Sequence, residues 1–405
     1  MGFRGKRMIS NRTMKVAALV ALGLVLSACS SNSSSSASPS GTASTGGDIL
    51  IGVNVPLSGD YAAAGVDIVN GAQLSAKAIN DAGGINGQMI KIVSQDDACS
   101  AQVGAQAAQK LISQKVVAVA GGYCSGASLP ALAQFHTAGI PFVMVGSTNP
   151  QLTEQGFAEA FRTIFRDDVQ GPFVAKFIAT YLKAKKVAVV NDSTTYSKGL
   201  ADQTVTALKK AGADVVYDNA LTPGQSDYSS VLTKVSQANP DVFYYTGYFA
   251  EFGLLLKQAK QQGLKFQMMG GDANNDPTLI KTAGAAAAGV LIDTAPLAQF
   301  LSSATDYVSS YKSAYGKEPG PYSAYEYDAV GTIAAAIKKA GSTDSKKITE
   351  ALHNLGDYAG ITGTFHFDSK GDRQPVNYIS ITVKNGDFVA DKKFDQSTSL
   401  WVTAS

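Results

Sequence analysis

From Asp48 onward the chain alternates short runs of consecutive apolar residues with longer segments whose apolar positions recur every three or four residues. The runs read as buried strands and the longer segments as helices with one face on a core. "ILIGVNVPLSG" predicts a strand and its loop, "VDIVNGAQLSAKAINDAGG" a helix closed by glycines, and "MIKIVSQDD" the next strand. Helix "SAQVGAQAAQKLISQ", strand "VVAVAGG", helix "ASLPALAQFHTAG" and strand "PFVMVGS" continue the pattern. A fresh series begins near Arg166: helix "VQGPFVAKFIATYLKA", strand "KVAVVND", helix "SKGLADQTVTALKKAG", strand "DVVYDNA", helix "YSSVLTKVSQA", strand "DVFYYTGY", helix "FGLLLKQAKQQG" and strand "KFQMMGGD". Such alternation predicts parallel sheets covered by helices on both faces. The layout recurs without the sequence recurring, so the expected fold class is α/β, with two doubly wound lobes in tandem and a site in the cleft between them. Helical segments "TDYVSSYKSAYG", "AYEYDAVGTIAAAIKKAG" and "SKKITEALHNL" then precede a β-rich end, "GTFHFDSKGD" and "NYISITVKNGDFVAD", so the chain is expected to cross between lobes more than once.

The first residues follow another pattern. "MGFRGKRMISNRTMK" carries five positive charges and no acid, and leads into the apolar run Val16 to Leu26. That run is roughly half the ~20 residues a membrane-spanning helix needs, and it reads as a signal peptide over residues 1–28. Leu26-Ser27-Ala28-Cys29 resembles a lipoprotein cleavage motif, which implies a lipid on Cys29. Residues 29–47, dominated by serine and glycine, have the composition of a flexible tether.

Charge narrows the partners. Removing Arg4, Lys6, Arg7, Arg12 and Lys15 with the leader takes the formal charge of the 405-residue chain from +2 to −3. The remainder has no cluster of lysine and arginine, which argues against nucleic acid.

Three chemistries compete for Cys124 in "AGGYCSGASLP". Gly122-Tyr123-Cys124-Ser125-Gly126 matches the nucleophile-elbow pattern with cysteine, and His353 or His366 follows in the order of a cysteine hydrolase. An elbow requires a free thiolate, however. With Cys29 lipidated outside the cytoplasm, only Cys99 and Cys124 remain, and a structural disulfide closing about 25 residues would contribute roughly 3 kcal/mol in the chain-entropy model. The disulfide is the preferred reading, and no catalytic residue is assigned. Metal binding is disfavoured because His136, His353 and His366 are the only histidines and none has ligand spacing. No phosphate-binding or dinucleotide fingerprint is present, so no cofactor is expected.

Strand ends instead supply polar capture groups. Ser125 and Ser128 stand where a helix begins, and Ser125 can cap that helix while the helix end receives a carboxylate. Ser147 and Thr148 follow the strand "PFVMVGS", Asp272 follows "KFQMMGG", and Tyr196 and Tyr248 stand at comparable exits. Asp272 reads as a cation partner across the cleft, or as a helix cap or turn former.

Together these residues resemble the extracytoplasmic substrate-binding proteins of branched-chain amino acid ABC transporters, from about Ile49 to about Asp391. The likeness rests on "PLSGDYAAAG", "NGAQLSAKAINDAGGINGQMIKIVSQDDAC", "GGYCSGAS", "GIPFVMVGSTNPQLT", "RDDVQGPF", "VNDSTTYSKGLA", "DVFYYTGY", "GPYSAYEYDA" and "FDSKGD", in that order. The resemblance implies two Rossmann-like lobes joined by three crossovers, with residues 48–166 and 296–375 in the first and 167–295 and 376–405 in the second. It also implies a Cys99–Cys124 disulfide and a carboxylate received by backbone N–H groups of Ser125 and Thr148. The ammonium would be held by the Gly146 carbonyl, Thr148 and Asp272, with Tyr196 and Tyr248 closing over the ligand. The expected partners are an amino acid, the membrane-bound permease of an ABC transporter, and the membrane through the lipid.

Two departures bear on the ligand. Asp272 is one methylene shorter than the acid the family often has there. Ala64 replaces an aromatic residue, with Tyr61 three positions earlier, so the wall either admits a bulkier side chain or receives Tyr61 in place of the missing ring. The reading is a lipid-anchored, non-enzymatic receptor for an amino acid, with a different small carboxylate or amide as the alternative ligand and the cysteine hydrolase as the alternative class.

Overall fold

The computed structural model describes Gly2 and residues 47–404. The expected signal peptide but for Gly2, Cys29 and all of the tether but Gly47 lie outside the described residues.

The first sheet contains β1 (Ile49–Val55), β2 (Ile90–Asp96), β3 (Ala118–Gly121), β4 (Phe142–Met144) and β5 (Ala160–Arg162), in the order β2-β1-β3-β4-β5 and parallel throughout. Residues 51 to 55 of β1 are all buried, Ile51, Val53 and Val55 toward one face and Gly52 and Asn54 toward the other, as expected for a strand covered on both faces. Helices α1 (Ala62–Asp81), α2 (Ala101–Ser113), α3 (Ser125–Ala138) and the short α4 (Gln151–Glu154) connect these strands. The chain then enters a second sheet through α5 (Asp167–Lys176). That sheet has β6 (Lys186–Asn191), β7 (Asp214–Ala220), β8 (Val242–Tyr245), β9 (Gln267–Gly270) and β10 (Leu291–Thr294), with α6 (Thr195–Lys210), α7 (Ser229–Gln237), α8 (Phe249–Gln261) and α9 (Pro277–Ala283) between them.

After β10 the chain returns to the first body with α10 (Thr305–Tyr315), α11 (Ser323–Ala340) and α12 (Ser345–His353). A small antiparallel sheet follows, β11 (Tyr358–Gly360), β12 (Gly363–Phe367) and β13 (Arg373–Gln374). The last strands, β14 (Ile379–Lys384), β15 (Asp387–Asp395) and β16 (Leu400–Thr403), extend the second sheet antiparallel beside β10. Its order is β16-β15-β14-β10-β9-β8-β6-β7. The chain thus passes between the sheets three times: after β5, after β10 and after β13.

The periodicity missed β5, β10 and α9, and with them the short α4, β11, β13 and β16. In β5 and β10 the apolar run is cut short by Arg162 and by Asp293, and each takes its place by pairing, β5 with β4 and β10 with β9 and β14. The helix expected from Val169 starts at Asp167 and its last turn is a π-turn, Phe177–Tyr181.

Polar side chains lace the passages together. Arg162, fully buried, donates to Asp372 through Nε at 2.7 Å and to the Ser147 and Asn149 carbonyls at 3.1 and 3.2 Å. Arg166 reaches the other Asp372 oxygen at 2.7 Å. The first and third passages are therefore tied by one carboxylate, and the same guanidinium holds the loop after β4. Tyr325 ties in the second by donating to the Pro296 carbonyl at 2.9 Å. Buried Asp67 in α1 accepts from the Tyr311 hydroxyl at 2.9 Å and from the N–H groups of Gly320 and Ser323 at 2.8 and 3.0 Å, which sets the entry into α11. Gly71 allows α1 and α11 to meet there, because a Cβ would collide with the Ser323 backbone.

Replacing one member of a buried network leaves its partners under-satisfied. Arg162→Met leaves Asp372 with Arg166 alone and frees the Ser147 and Asn149 carbonyls, and is expected to lower stability by about 2–3 kcal/mol, read as a shift in urea midpoint, whereas Lys77→Ala in the exposed Lys77–Asp81 pair leaves the midpoint nearly unmoved. Equal midpoints for the two variants would show that Asp372 does not depend on Arg162.

Candidate functional site

The loops leaving the carboxyl ends of the parallel strands meet where the two sheets face one another, the usual position for a site in such folds. From the first body come Tyr61 at the start of α1, Tyr123 and Ser125 after β3, Gly146 to Asn149 after β4, and Tyr322 before α11. From the second come Gln170 of α5, Tyr196 of α6, Tyr248 capping α8, Asp272 after β9 and Asp293 in β10.

Asp272 is the meeting point. It is 3% exposed and accepts from the Tyr196 hydroxyl at 2.7 Å, from Gln170 Nε2 at 3.1 Å and from the Tyr322 hydroxyl at 3.4 Å. Burial pushes its carboxyl above the usual range, and these three donors pull it back. Gln170 also donates to Asp293 at 2.6 Å. Asp293 is raised well above its ordinary value by burial, with repulsion from Asp272 adding to it. Asp167 is raised well above its own by burial and then by Asp272; both its oxygens are buried without a partner. The nearby Thr148 hydroxyl opposes that shift, but it forms no well-shaped hydrogen bond. Three buried carboxyl groups therefore share a region whose bridging donor, Gln170, is neutral. The neighbouring guanidinium, Arg162, is committed to Asp372.

Tyrosine rings wall this region. Tyr248 stands 5.2 Å from Tyr196, 5.6 Å from Tyr123 and 4.7 Å from Tyr61, and Tyr123 stands 5.3 Å from Tyr322, centroid to centroid. Tyr123, Tyr196, Tyr248 and Tyr322 are all buried, so the two bodies are closed over the cluster. Surface grooves such as that between Ile280, Lys317 and Phe388 contain none of these side chains, in keeping with a closed site.

Several of the residues singled out from the sequence lie at this junction. Ser125 is buried as the first residue of α3; its hydroxyl accepts from the Asn149 N–H at 3.3 Å. Cys124, rather than Ser125, occupies the capping position, so the expectation of Ser125 as a cap is corrected. Positive φ at Gly121 and Gly122, 113° and 76°, turns the chain from β3 into that cap. Ser147 is paired with Ser128, hydroxyl to hydroxyl at 2.7 Å. Gly146 lies against Tyr123, where a Cβ would stand 3.1 Å from the ring. Gly271 is the cap before Asp272, which opens a 3₁₀ turn and is thus not itself a cap. Ala64 is buried in core packing along α1, while Tyr61 carries a ring to Tyr248 and a hydroxyl to Glu251 at 3.4 Å.

Sequence reading missed Tyr123, Gln170, Glu251, Asp293 and Tyr322 as site residues. Tyr123, Gln170 and Tyr322 stand inside the stretches "GGYCSGAS", "RDDVQGPF" and "GPYSAYEYDA" that carried the resemblance. Glu251, three residues after Tyr248 on one helix face, had the spacing to join it.

Cys99 and Cys124 form a disulfide with a Cα separation of 5.3 Å. The Cys124 sulfur is thus no free nucleophile, and the histidines are engaged elsewhere, His353 with the Ala158 carbonyl and His366 with Asp357. Beside the bridge, fully buried Asp97 accepts from the Cys99 N–H at 2.8 Å through one oxygen and has no partner for the other. Burial pushes its carboxyl up to about 7.

The "Periplasmic binding protein" family pattern matches residues 48–387. The chain is 35% identical over 348 residues to Leu/Ile/Val-binding protein homolog 1 of Brucella abortus, covering 86% of this chain and 93% of that one. A crystal structure of a leucine binding protein from Thermotoga maritima superposes with a TM-score of 0.81 at 30% identity, over 86% of this chain and 99% of the other. The branched-chain amino acid transporter substrate binding protein of Streptococcus pneumoniae, solved in complex with isoleucine, superposes with a TM-score of 0.78 at 30% identity, over 85% and 99%.

The raised Asp97 carboxyl predicts a pH dependence. The native state keeps its proton up to about pH 7, while the unfolded chain loses it near pH 4, so stability falls as pH rises between the two. From pH 5 to pH 8 the protein is expected to lose about 2–3 kcal/mol more than Asp97→Asn does, measured by denaturant titration at each pH. Parallel pH profiles for the two proteins would place the Asp97 carboxyl back in the ordinary range.

Proposed function

Because the chain belongs to the periplasmic binding protein family, we propose that it is a receptor that captures an amino acid outside the cytoplasmic membrane and delivers it to the permease of an ABC transporter. The observation that carries this reading is Asp272, a buried carboxylate at the junction whose partners among the described residues are neutral and come from both bodies. A zwitterion needs both charges matched once water is excluded, since an unpaired buried charge costs several kcal/mol. In this reading Asp272 takes the ammonium with the Thr148 hydroxyl and the Gly146 carbonyl. The N–H groups at the start of α3 and after β4, at Ser125 and Thr148, take the carboxylate.

Tyr196 and Tyr248 from the second body, with Tyr61, Tyr123 and Tyr322 from the first, cover the ligand. Closure carries the signal: ligand that binds between the bodies stabilises the closed form differentially, and the permease reads that form. The leader and Cys29 support export and a lipid anchor at the outer face of the membrane, with the serine-rich tether as spacer. No described helix is long and apolar enough to cross a membrane. The relatives' names support an amino acid as ligand, and the disulfide supports a binding role for the Cys124 loop over a catalytic one.

A thermal-shift panel of the common amino acids tests the reading. A cognate ligand at a hundred times its Kd is expected to stabilise the protein by about 2.7 kcal/mol. Asp272→Ala is expected to weaken amino-acid binding at least a hundredfold while sparing any ligand that lacks an ammonium. A panel in which no amino acid raises the melting temperature of the oxidised protein defeats the proposal.

A further inference from the structure

Two side-chain hydrogen bonds described above cross from one body to the other, Tyr322 to Asp272 and Tyr61 to Glu251, and both are long at 3.4 Å. Away from the three passages, a third and shorter one joins the bodies among the described residues. Asn149, buried in the loop after β4, donates through Nδ2 to the carbonyl of Thr195, the first residue of α6, at 2.9 Å. The first body fixes the rest of Asn149. Its Oδ1 accepts the Gln151 N–H at 2.9 Å, its carbonyl accepts from Arg162 at 3.2 Å, and its own N–H donates to Ser125 Oγ at 3.3 Å. Pro150 narrows its backbone further. With Oδ1 spent on Gln151, the amide has only Nδ2 to offer, and that donor faces the other body. A group held this way loses little freedom when it meets its acceptor.

The second body makes room for it. Gly199 stands one turn into α6, where an added Cβ would lie 2.5 Å from Asn149 Nδ2. Glycine inside a helix weakens it relative to alanine, and Gly199 has no left-handed backbone angle that would require it. The approach of Asn149 accounts for the missing side chain. Donor and clearance thus come from different bodies and point to the same contact. Its neighbours give that contact a consequence: Asn149 follows Thr148, and Thr195 precedes Tyr196, whose hydroxyl donates to Asp272 at 2.7 Å. When the bodies part, the Thr195 carbonyl leaves with α6, so the bond belongs to the closed form. A bond made in one form only shifts the equilibrium toward that form.

Resting on the amino-acid reading above, we propose that Asn149 is a positioning residue that latches the closed form. Its amide docks on the Thr195 carbonyl in the space that Gly199 leaves, and so holds Tyr196 against the loop that carries Thr148. The latch joins protein to protein beside the site and makes no contact with a ligand side chain. It therefore slows the release of any amino acid by the same factor and leaves the choice among amino acids to the tyrosine wall.

The test compares the full oxidised chain with Asn149→Ala, Gly199→Ala and the double variant, by isothermal titration with the common amino acids, leucine and isoleucine first, and by stopped-flow tyrosine fluorescence. Each single variant is expected to weaken binding about fivefold to tenfold, through faster dissociation, with the ratio of affinities between any two amino acids kept. The double variant is expected to bind like Asn149→Ala alone, because the methyl at position 199 fits the space the amide vacates. Gly199→Ala leaves every bond of Asn149 within the first body in place, so it tests the latch on its own if Asn149→Ala disturbs the loop. Unchanged affinity in a folded single variant, a loss carried by slower association, or losses that multiply in the double variant overturn the latch and leave the amino-acid reading standing. If no amino acid binds the unmodified chain, both proposals fall together.

Discussion

A carboxylate taken out of water has to be given hydrogen-bond donors, a counter-charge or a proton, and this requirement organises the junction between the two sheets. Asp272 satisfies it with one donor from each of three segments, Tyr196 and Gln170 on the side of the second sheet and Tyr322 on the side of the first. None of these donors is charged. The bodies are therefore held together at their centre by bonds that a cationic group can join or replace, and that contribute less than an ion pair would. Burial pushes Asp167 and Asp293, in the same region, toward the protonated form.

The charges that are fully matched lie a step behind. Arg162 and Arg166 share Asp372 where the chain first and last passes between bodies, and Arg162 extends to the carbonyls of Ser147 and Asn149. Asp67 does similar work on the other flank, ordering the residues that present Tyr322. A rigid frame with paired charge thus surrounds a junction whose charge is one-sided, which lets the frame stay fixed while the junction responds to what enters it. The Cys99–Cys124 bridge adds to the frame by tying the end of β2 to the helix that carries Ser125.

Much of the frame was legible in the chain itself. Apolar runs such as "VVAVAGG" and "KVAVV", short and rich in valine, read as strands buried on both faces, and the glycine-closed helices between them pointed to a parallel order. Residues at strand exits, Ser125, Ser147, Thr148, Tyr196, Tyr248 and Asp272, could be picked out because an α/β sheet displays its loops at that edge. The strands β5 and β10 could not, since Arg162 and Asp293 cut their apolar runs short and they owe their conformation to neighbours distant in sequence. Nor could Glu251, which has a helical neighbour's spacing from Tyr248 but gains its meaning from Tyr61, distant by 190 residues.

By itself the sequence determined the two α/β bodies, the sulfur bridge as the preferred fate of its two cysteines, and the loops that would face a cleft, because each follows from local period, residue type and position along a strand. Only the tertiary structure decided which acids are buried without a cation, which tyrosines reach them, and that Tyr61 turns its ring to Tyr248 and its hydroxyl to Glu251. Those outcomes depend on long-range closure of one body on the other, where burial sets the electrostatics and no local pattern records it.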